Sequence, residues 1–343
     1  MNRRHFLLLA ALPFAAPSFA VSAGEPFGPP APPKPIDRLL TEAAALDNLK
    51  VVMVAHKGTV VAERGYHGNR TDRSTNIKSA SKSVMSALVG IAIDKGVLTG
   101  VDQPIAPLLA RDLPANPDPR LNTVTIGNLL SMQSGIQPMS GPNYGRWISS
   151  RNWVREALAA PFVDQPGGGM LYSTASTHLL SAILTRTTGK PTLALAKEWL
   201  GPLQDFRIGG WERDPQGIYM GGNQMALTPR GLLSFGELYR MGGVLPDGTR
   251  LVSAAWIAES FKARTHSIHS GDGYGYGWFE REIEGETVHY GWGYGGQMLY
   301  IVPARDLTVV MTSDEGSPSA ATGYRDSLHA LLGNIIKAVR VSS

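Results

Sequence analysis

The chain contains 343 residues, of which 43% are hydrophobic and 17% are charged, a composition typical of a folded globular protein. Its formal net charge is +4, and no run of five basic residues occurs, so the charge gives no reason to expect a nucleic-acid partner. The chain has no cysteine, which excludes disulfide bonds, thiolate metal sites and cysteine nucleophiles.

Residues 1–23 have the organisation of a secretory signal peptide. A basic head with two arginines precedes an apolar stretch and small residues, and "RRHFL" matches the twin-arginine pattern. The apolar stretch is too short for a membrane-spanning helix. We therefore expect a periplasmic or secreted protein without stable membrane insertion, cleaved after Ala20 or Ala23. A Pro-rich linker follows over residues 24–35.

After the linker, the pattern predicts a helix and then a β-hairpin. Apolar residues between Ile36 and Leu46 recur at helical spacing. Two apolar, β-branched runs, 50–55 and 59–62, then flank a Lys-Gly turn.

The middle of the chain is predicted to be mainly helical. "VMSALVGIAIDKG" ends at Gly96, a good helix stop, and "TIGNLLSMQSG" begins with Thr125 as an N-cap candidate. "RNWVREALAA", "TASTHLLSAILTRTTG", "PTLALAKEWLG", "TPRGLLSFGELYRMGG" and "SAAWIAESFKAR" show the same helical spacing.

Strand patterns return after residue 270. "YGYGWFERE", "TVHYGW", "QMLYIVP" and "LTVVMTS" are short and β-rich, and an amphipathic helix closes the chain. We therefore expect an α+β fold over residues 36–343, in which both chain ends share one antiparallel sheet flanked by helices. The α/β part comprises residues 36–78 and 270–343, and residues 79–269 form a mostly helical subdomain.

"IKSASKS" contains a serine and a lysine, Ser79 and Lys82, at the head of an apolar helix. Positions i and i+3 lie side by side on a helix, so the two side chains share one space. Burial lowers the pKa of a lysine and makes it a usable base for a serine nucleophile. The backbone N–H of Ser79, at a helix start, is also placed to hold an oxyanion. The alternative is an ordinary helix cap with Lys82 in solvent.

Two later stretches are rich in glycine and aromatic residues. "PGGGMLYSTAST" (166–177) places Tyr172 before a helix, where a phenol near a lysine could relay protons. The alternative is a tyrosine packed in the core. "HYGWGYGGQMLYIVP" (289–303) has glycines just before a strand, where backbone N–H groups could face a substrate or form only a bulged turn.

At these three stretches the sequence resembles the serine β-lactamase and penicillin-binding-protein family. It is most similar to the class C-like branch, which includes carboxylesterases and aminohexanoate-dimer hydrolases. "SASK" matches the nucleophile motif, "YST" stands where that branch has Tyr-x-Asn, and "HYG" or "WGYGG" stands where others have Lys-Thr-Gly. The resemblance covers most of residues 36–340 and implies the β-lactamase/transpeptidase-like fold.

The resemblance also implies roles for single residues. Ser79 would form an acyl-enzyme, with Lys82 and Tyr172 sharing the proton transfers. The N–H of Ser79 would be one oxyanion donor, and the second would be the N–H of Tyr294 or, less favoured, that of Trp292.

The departures from the family pattern favour an ester or amide hydrolase. The third motif has no lysine and Thr174 replaces the asparagine of the second, which makes β-lactam hydrolysis doubtful. A β-lactamase, a D-Ala peptidase or a penicillin-binding sensor without turnover remain alternatives. Candidate aromatic walls of the substrate pocket are Tyr144, Trp147, Trp292 and His289, and residues 139–147 could form a lid or a surface loop.

Other hydrolase chemistries lack their motifs. No G-x-S-x-G nucleophile elbow and no H-E-x-x-H metal motif occurs, so we expect neither a metal nor another cofactor. His178 is interpreted as a core or rim residue. The oligomeric state is not predicted, and the expected partner is a small-molecule ester or amide.

Overall fold

The computed structural model describes residues 35–341. The predicted signal peptide, and the linker up to residue 34, lie outside the described residues. Within residues 35–341, no helix combines the length and the apolarity needed to cross a membrane.

The strands are concentrated towards both ends of the chain, and a run of helices lies between them. In chain order they are α1 (Pro35–Glu42), β1 (Leu49–His56), β2 (Thr59–Gly65), β3 (Thr75–Asn76), α2 (Ser81–Asp94), α3 (Ile105–Leu108), α4 (Ile126–Leu130), α5 (Tyr144–Ile148), α6 (Trp153–Leu158), α7 (Thr174–Thr188), α8 (Thr192–Trp199), β4 (Ile208–Trp211), β5 (Met225–Leu227), α9 (Pro229–Arg240), α10 (Ala254–Phe261), β6 (Thr265–His266), β7 (Gly273–Tyr274), β8 (Phe279–Ile283), β9 (Glu286–Gly293), β10 (Gln297–Val302), β11 (Leu307–Ser313) and α11 (Tyr324–Val341).

The main sheet joins the two ends of the chain, as predicted. Its order is β2-β1-β11-β10-β9-β8-β7-β6, and its neighbours are antiparallel. The predicted hairpin is confirmed as β1 and β2, joined at Lys57 and Gly58, where both residues have a positive φ. The pairing of β1 with β11 joins the N-terminal strands to the C-terminal strands in one sheet.

Alternation along the strands builds one apolar layer on each face of the sheet. Met53 of β1 and Leu299 of β10 pack into the core on the side of α2, together with helices from the middle of the chain. Val54 and Tyr300 point to the opposite face and pack with residues of α1 and α11. The site described below draws on both layers, because α2 lies in the first and Tyr172 packs against the second.

The prediction of a helical middle missed a second, small sheet. Strands β3, β5 and β4 pair antiparallel in that order, and two of them lie within residues 79–269. These strands have only two to four residues each, too short for a period of two to stand out in the sequence. They matter because the connection from β4 to β5 reaches the site.

Helix α2 is buried on all sides for most of its length, and apart from Lys82 and three serines its buried side chains are apolar, so it has no polar face. A Cβ at Gly90 would lie 2.4 Å from the ring of Trp256, which shows how closely α10 packs against α2. The enclosed position of α2 places its first turn, with Lys82, inside the protein.

Candidate active site

Ser79 lies in a single 3-10 turn, Lys78–Ala80, that leads directly into α2. Its side chain is half-buried, so the hydroxyl borders both the interior and solvent. Lys78 has a φ of 49°, a conformation that residues with a side chain rarely adopt. The N–H of Lys78 donates to Oδ1 of Asn76 at 2.9 Å, which helps to hold this turn in place.

The amine of Lys82 is enclosed directly beneath this turn. Nζ lies 3.0 Å from Oγ of Ser79, 2.7 Å from the carbonyl oxygen of Gly222 and 3.4 Å from Oγ1 of Thr174. The residue is only 2% exposed, and this burial lowers the pKa of Lys82 to about 7. A large share of the amine is therefore neutral at physiological pH, and a neutral amine can accept a proton.

The ring of Tyr172 covers the other side of the lysine. Nζ of Lys82 lies 5.0 Å from the ring centroid, and the Tyr172 ring packs against Phe279 and Tyr274. Burial raises the pKa of Tyr172 to about 12, partly opposed by a hydrogen bond with Ser79. The phenol is therefore protonated at neutral pH. The structure thus brings Ser79, Lys82 and Tyr172 together from two distant segments.

Two hydroxyls extend this group of polar side chains. Oγ1 of Thr174, at the start of α7, lies 3.2 Å from Oγ of Ser140, which also accepts the N–H of Thr174 at 2.9 Å. These contacts attach the 139–147 segment to α7. Ser140 was not predicted, because a lone serine in a loop carries no distinctive pattern.

The carbonyl of Gly222 is the second part of the site that the sequence did not reveal. Gly222 has a φ of +79°, and a Cβ there would lie 2.3 Å from Oγ1 of Thr177 and 2.6 Å from Cγ of Lys82. Only glycine fits this position. The paired glycines in "MGGNQ" were the available signal, although they do not indicate which side chain they approach.

Strand β9 lies against the turn that carries Ser79. A Cβ at Gly293 would lie 2.2 Å from the carbonyl oxygen of Ile77, and one at Gly291 would lie 3.0 Å from Oγ of Ser83. These glycines allow the strand to pass beside the nucleophile candidate. Tyr294 follows in the turn between β9 and β10 and is 50% exposed.

Trp292 points to the opposite face of the sheet from Gly291 and Gly293, as the alternation of a strand requires. Its ring packs against Phe279 at 6.0 Å and under the guanidinium of Arg325 at 5.0 Å. Phe279 is the residue that links Trp292 to the ring of Tyr172.

Of the remaining candidate walls, Tyr144 is the one that reaches the site. Its hydroxyl accepts a hydrogen bond from Nδ2 of Asn223 at 3.2 Å, next to Gly222. Trp147 is fully buried, its N–H donates to the carbonyl of Trp153, and it is therefore a core residue and not a wall.

His289 is also a packing residue. Its ring stacks on Phe261 with centroids 3.9 Å apart, and burial lowers the pKa of His289 to about 4, so the ring is neutral. Phe261 therefore covers one face of the imidazole ring. Among residues 35–341, no group of three His, Asp or Glu side chains is arranged to hold a metal ion.

The antiparallel sheet, the helices on both its faces and the central helix that begins beside Ser79 define the β-lactamase/transpeptidase fold. Residues 43–333 match the family described as Beta-lactamase, and the chain belongs to this family.

The proteins to which this chain is similar are named as different kinds of hydrolase. The chain is 25% identical to the 6-aminohexanoate-dimer hydrolase of Paenarthrobacter ureafaciens, over 92% of this chain and 86% of that protein. A family VIII carboxylesterase structure superposes with a TM-score of 0.66 at 17% identity, covering 87% of this chain and 96% of the other. A class C β-lactamase from Rhodobacter sphaeroides gives 0.66 at 15% identity, covering 88% and 99%. These structural likenesses concern the fold.

Proposed function

We propose that the protein is a serine hydrolase that cleaves ester or amide bonds through an acyl-enzyme on Ser79. The observation that carries this proposal is the 3.0 Å contact between Oγ of Ser79 and the buried amine of Lys82, whose pKa is lowered to about 7. A hydroxyl becomes an effective nucleophile when a neighbouring base takes its proton, and this amine is such a base.

In the acylation step, Oγ of Ser79 attacks the carbonyl carbon of the substrate while its proton passes to Nζ of Lys82. The bond to the leaving group then breaks, and the leaving group takes a proton from the Lys82 and Tyr172 pair. In deacylation a water attacks the acyl carbon and gives a proton to the same pair. The bond between that carbon and Oγ of Ser79 then breaks, and Oγ takes a proton back from the pair. Tyr172, with a pKa of about 12, serves as a neutral donor in this scheme.

The oxyanion that forms in both steps requires backbone donors. The N–H of Ser79 is the first donor in our proposal, and the N–H of Tyr294 is the second, with that of Trp292 as the alternative. The close approach of Gly293 to Ile77 supports this, because it brings the end of β9 beside the nucleophile turn.

The substrate class is an ester or a linear amide. The name of the Paenarthrobacter ureafaciens relative specifies a hydrolase of the 6-aminohexanoate dimer, and the carboxylesterase has a similar fold. Residues 289–297, where other family members carry a lysine, contain none. This disfavours the second candidate functions, a β-lactamase or a D-Ala peptidase.

A substrate panel tests the proposal. Wild-type protein and Ser79→Ala are compared on p-nitrophenyl acetate and butyrate, the 6-aminohexanoate dimer, nitrocefin and a D-Ala-D-Ala peptide. We expect turnover of an ester or the linear amide that is lost in Ser79→Ala. Labelling by a fluorophosphonate without turnover of any substrate would instead support a penicillin-binding sensor, and no labelling at all would contradict both.

We further propose export through the twin-arginine route, supported by "RRHFL" within residues 1–23. Expression of the full chain in a bacterial host, followed by fractionation, should place a shortened protein in the periplasm. Replacing both arginines by lysine should leave the longer form in the cytoplasm. Equal distribution of the two variants would contradict this route.

A further inference from the structure

The carbonyl of Gly222 is delivered to Lys82 by the connection between β4 and β5, residues 212–224. This connection is a narrow hairpin, in which the N–H of Asp214 donates to the carbonyl of Ile218 and that of Met220 to the carbonyl of Glu212, both at 2.8 Å. These bonds shape the hairpin. They do not set its position relative to the catalytic lysine, so other contacts must do so.

The tip of the hairpin is fixed by a buried pair, His178 and Asp214. Nε2 of His178 lies 3.1 Å from Oδ2 of Asp214, and both side chains are 0% exposed. The other carboxylate oxygen accepts the N–H groups of Gln216 and Ile218, each at 2.8 Å. Asp214 therefore ties the turn of the hairpin to one point on α7.

The same face of α7 holds the rest of the hairpin. Oγ1 of Thr177 donates to the carbonyl of Gly221 at 2.9 Å, and Oγ of Ser181 donates to the carbonyl of Tyr219 at 2.6 Å. Thr177, His178 and Ser181 are neighbours on one face of the helix. Helix α7 also carries Thr174, so one rigid element positions both groups that contact Lys82 beside Ser79.

The ring of His178 has one polar contact in the described part of the chain, the one with Asp214. Its flanks are covered by Trp147 and Trp153, with centroids 5.6 and 5.5 Å away, and both indole N–H groups donate elsewhere. Nδ1 has no hydrogen-bond partner among residues 35–341. The buried imidazole is thus committed to the carboxylate at the hairpin tip.

The position of the Gly222 carbonyl decides the orientation of the Lys82 amine. A neutral amine has two N–H groups and one lone pair. The carbonyl can only accept, so it takes one N–H at 2.7 Å, and Thr174 takes the other at 3.4 Å. The lone pair is then left for the hydroxyl proton of Ser79. The carbonyl also stabilises the ammonium ion formed after proton transfer.

From these contacts we infer that His178 and Asp214 are positioning residues for the hydrolysis, acting through the 212–224 hairpin and the Gly222 carbonyl on the Lys82 amine. This inference rests on the proposed function of Ser79 and Lys82. Neither residue touches the substrate, since both are fully buried.

His178→Met, which keeps the bulk but removes the donor, should lower kcat by ~10-fold or more because the amine is no longer aligned. KM should stay within about twofold, since no substrate contact is lost. The acid limb of the rate profile should move to lower pH, because an amine without its carbonyl acceptor is protonated less readily. His178→Gln places an N–H near the position of Nε2 and should restore most of kcat and the original limb.

Thr177→Val gives the same test without disturbing a buried charge, because it removes the anchor at Gly221, together with the hydrogen bond from Oγ1 to the carbonyl of Thr174 within α7. It should reproduce the lower kcat and the shifted limb, and it decides the question if His178→Met does not fold. The matched control is Asp112→Asn, which disturbs the buried ion pair with Arg186 near the other end of α7. This control should lower the melting temperature and leave the pH profile unchanged.

Both variants are assayed below their melting temperatures. The proposal is overturned if Thr177→Val, and His178→Met where it folds, keep the kcat of the wild type and the acid limb of its pH–rate profile. It is also overturned if the control shifts the limb equally, since that would indicate general loosening. Failure of the proposed function would look different, because the wild-type protein itself would then turn over no ester or amide.

Discussion

The amine of Lys82 and the hydroxyl of Ser79 lie 3.0 Å apart at the point where the protein interior meets solvent. Lys82 is 2% exposed, whereas Ser79 is half-buried. The same apolar surroundings that lower the pKa of the lysine leave the hydroxyl accessible to a substrate. The proposed base and the proposed nucleophile therefore have the environments that these roles require.

The first prediction concerns pH. Burial lowers the pKa of Lys82 to about 7. The logarithm of kcat/KM should therefore rise with pH at unit slope below about pH 7 and reach a plateau above it. The Tyr172 phenol, with a pKa of about 12, should cause no second change below about pH 10. Initial rates on a p-nitrophenyl ester across this range provide the measurement, and a flat profile would contradict the lysine base.

The second prediction concerns stability. The folded pKa of Lys82, about 7, lies below the ordinary 10.5, so burial of the lysine costs free energy at neutral pH. That cost is fully present below pH 7 and disappears as the pH rises through 10.5. Lys82→Met should abolish activity yet raise the free energy of unfolding by about 1 kcal/mol or more at pH 7. Urea denaturation should show that the stability gained by Lys82→Met is smaller at about pH 10 than at about pH 7. A variant less stable than the wild type at both pH values would contradict the prediction.

The third prediction identifies the nucleophile. Ser79→Ala should reduce ester turnover by ~10³-fold or more and abolish labelling by a fluorophosphonate, with little change in the melting temperature. Ser86→Ala, one turn beyond Lys82 on α2, is the matched control and should keep the label. Mass spectrometry of the labelled protein gives the readout, and a label on any other residue would rule out Ser79.

The fourth prediction separates removal of the Ser79 proton from protonation of the leaving group. p-Nitrophenolate leaves without a proton, whereas the amine of an amide substrate requires one. If Tyr172 helps to deliver it, Tyr172→Phe should lower kcat on a linear amide by ~10²-fold and affect the p-nitrophenyl ester less. The ring packing on Phe279 and Tyr274 is retained in this variant. Equal losses on both substrates would argue against this role.

The fifth prediction compares two glycines with the same backbone conformation. Gly222 and Gly217 have φ values of +79° and +85°, but only at Gly222 would a Cβ meet other atoms. Gly217→Ala should cost about 1 kcal/mol from backbone strain alone. Gly222→Ala should cost at least ~1 kcal/mol more and also reduce kcat, because the Lys82 amine must move. Thermal unfolding and ester kinetics measure both, and similar effects of the two variants would contradict the close approach.

Much of the fold followed from local sequence patterns. The hairpin of β1 and β2 and the C-terminal strands were predicted because each lies in a run rich in apolar, β-branched or aromatic residues. The three-residue strand β5 escaped this reasoning, because so short a segment has no measurable period. The antiparallel arrangement of both chain ends was also expected, since the two strand-rich segments bracket a helical middle.

For the site, sequence reasoning selected Ser79, Lys82 and Tyr172, which the structure brings together. It also selected Trp147 and His289, whose rings the structure places against Trp153 and Phe261. Both are large aromatic residues near a glycine-rich or motif segment. A sequence shows that such a ring seeks an apolar environment, but not whether a core partner such as Trp153 or Phe261 supplies it.

The amino-acid sequence by itself determined which side chains are candidates for the chemistry, because a spacing of three residues at a helix start puts Ser79 and Lys82 side by side wherever the helix lies. Only the tertiary structure decided the protonation and orientation of that lysine. Burial lowers its pKa, and the carbonyl of Gly222, 140 residues away in the chain, contacts its amine, while the His178 and Asp214 pair anchors the same hairpin. Contacts between distant segments are set by how whole elements pack, and no local pattern records them.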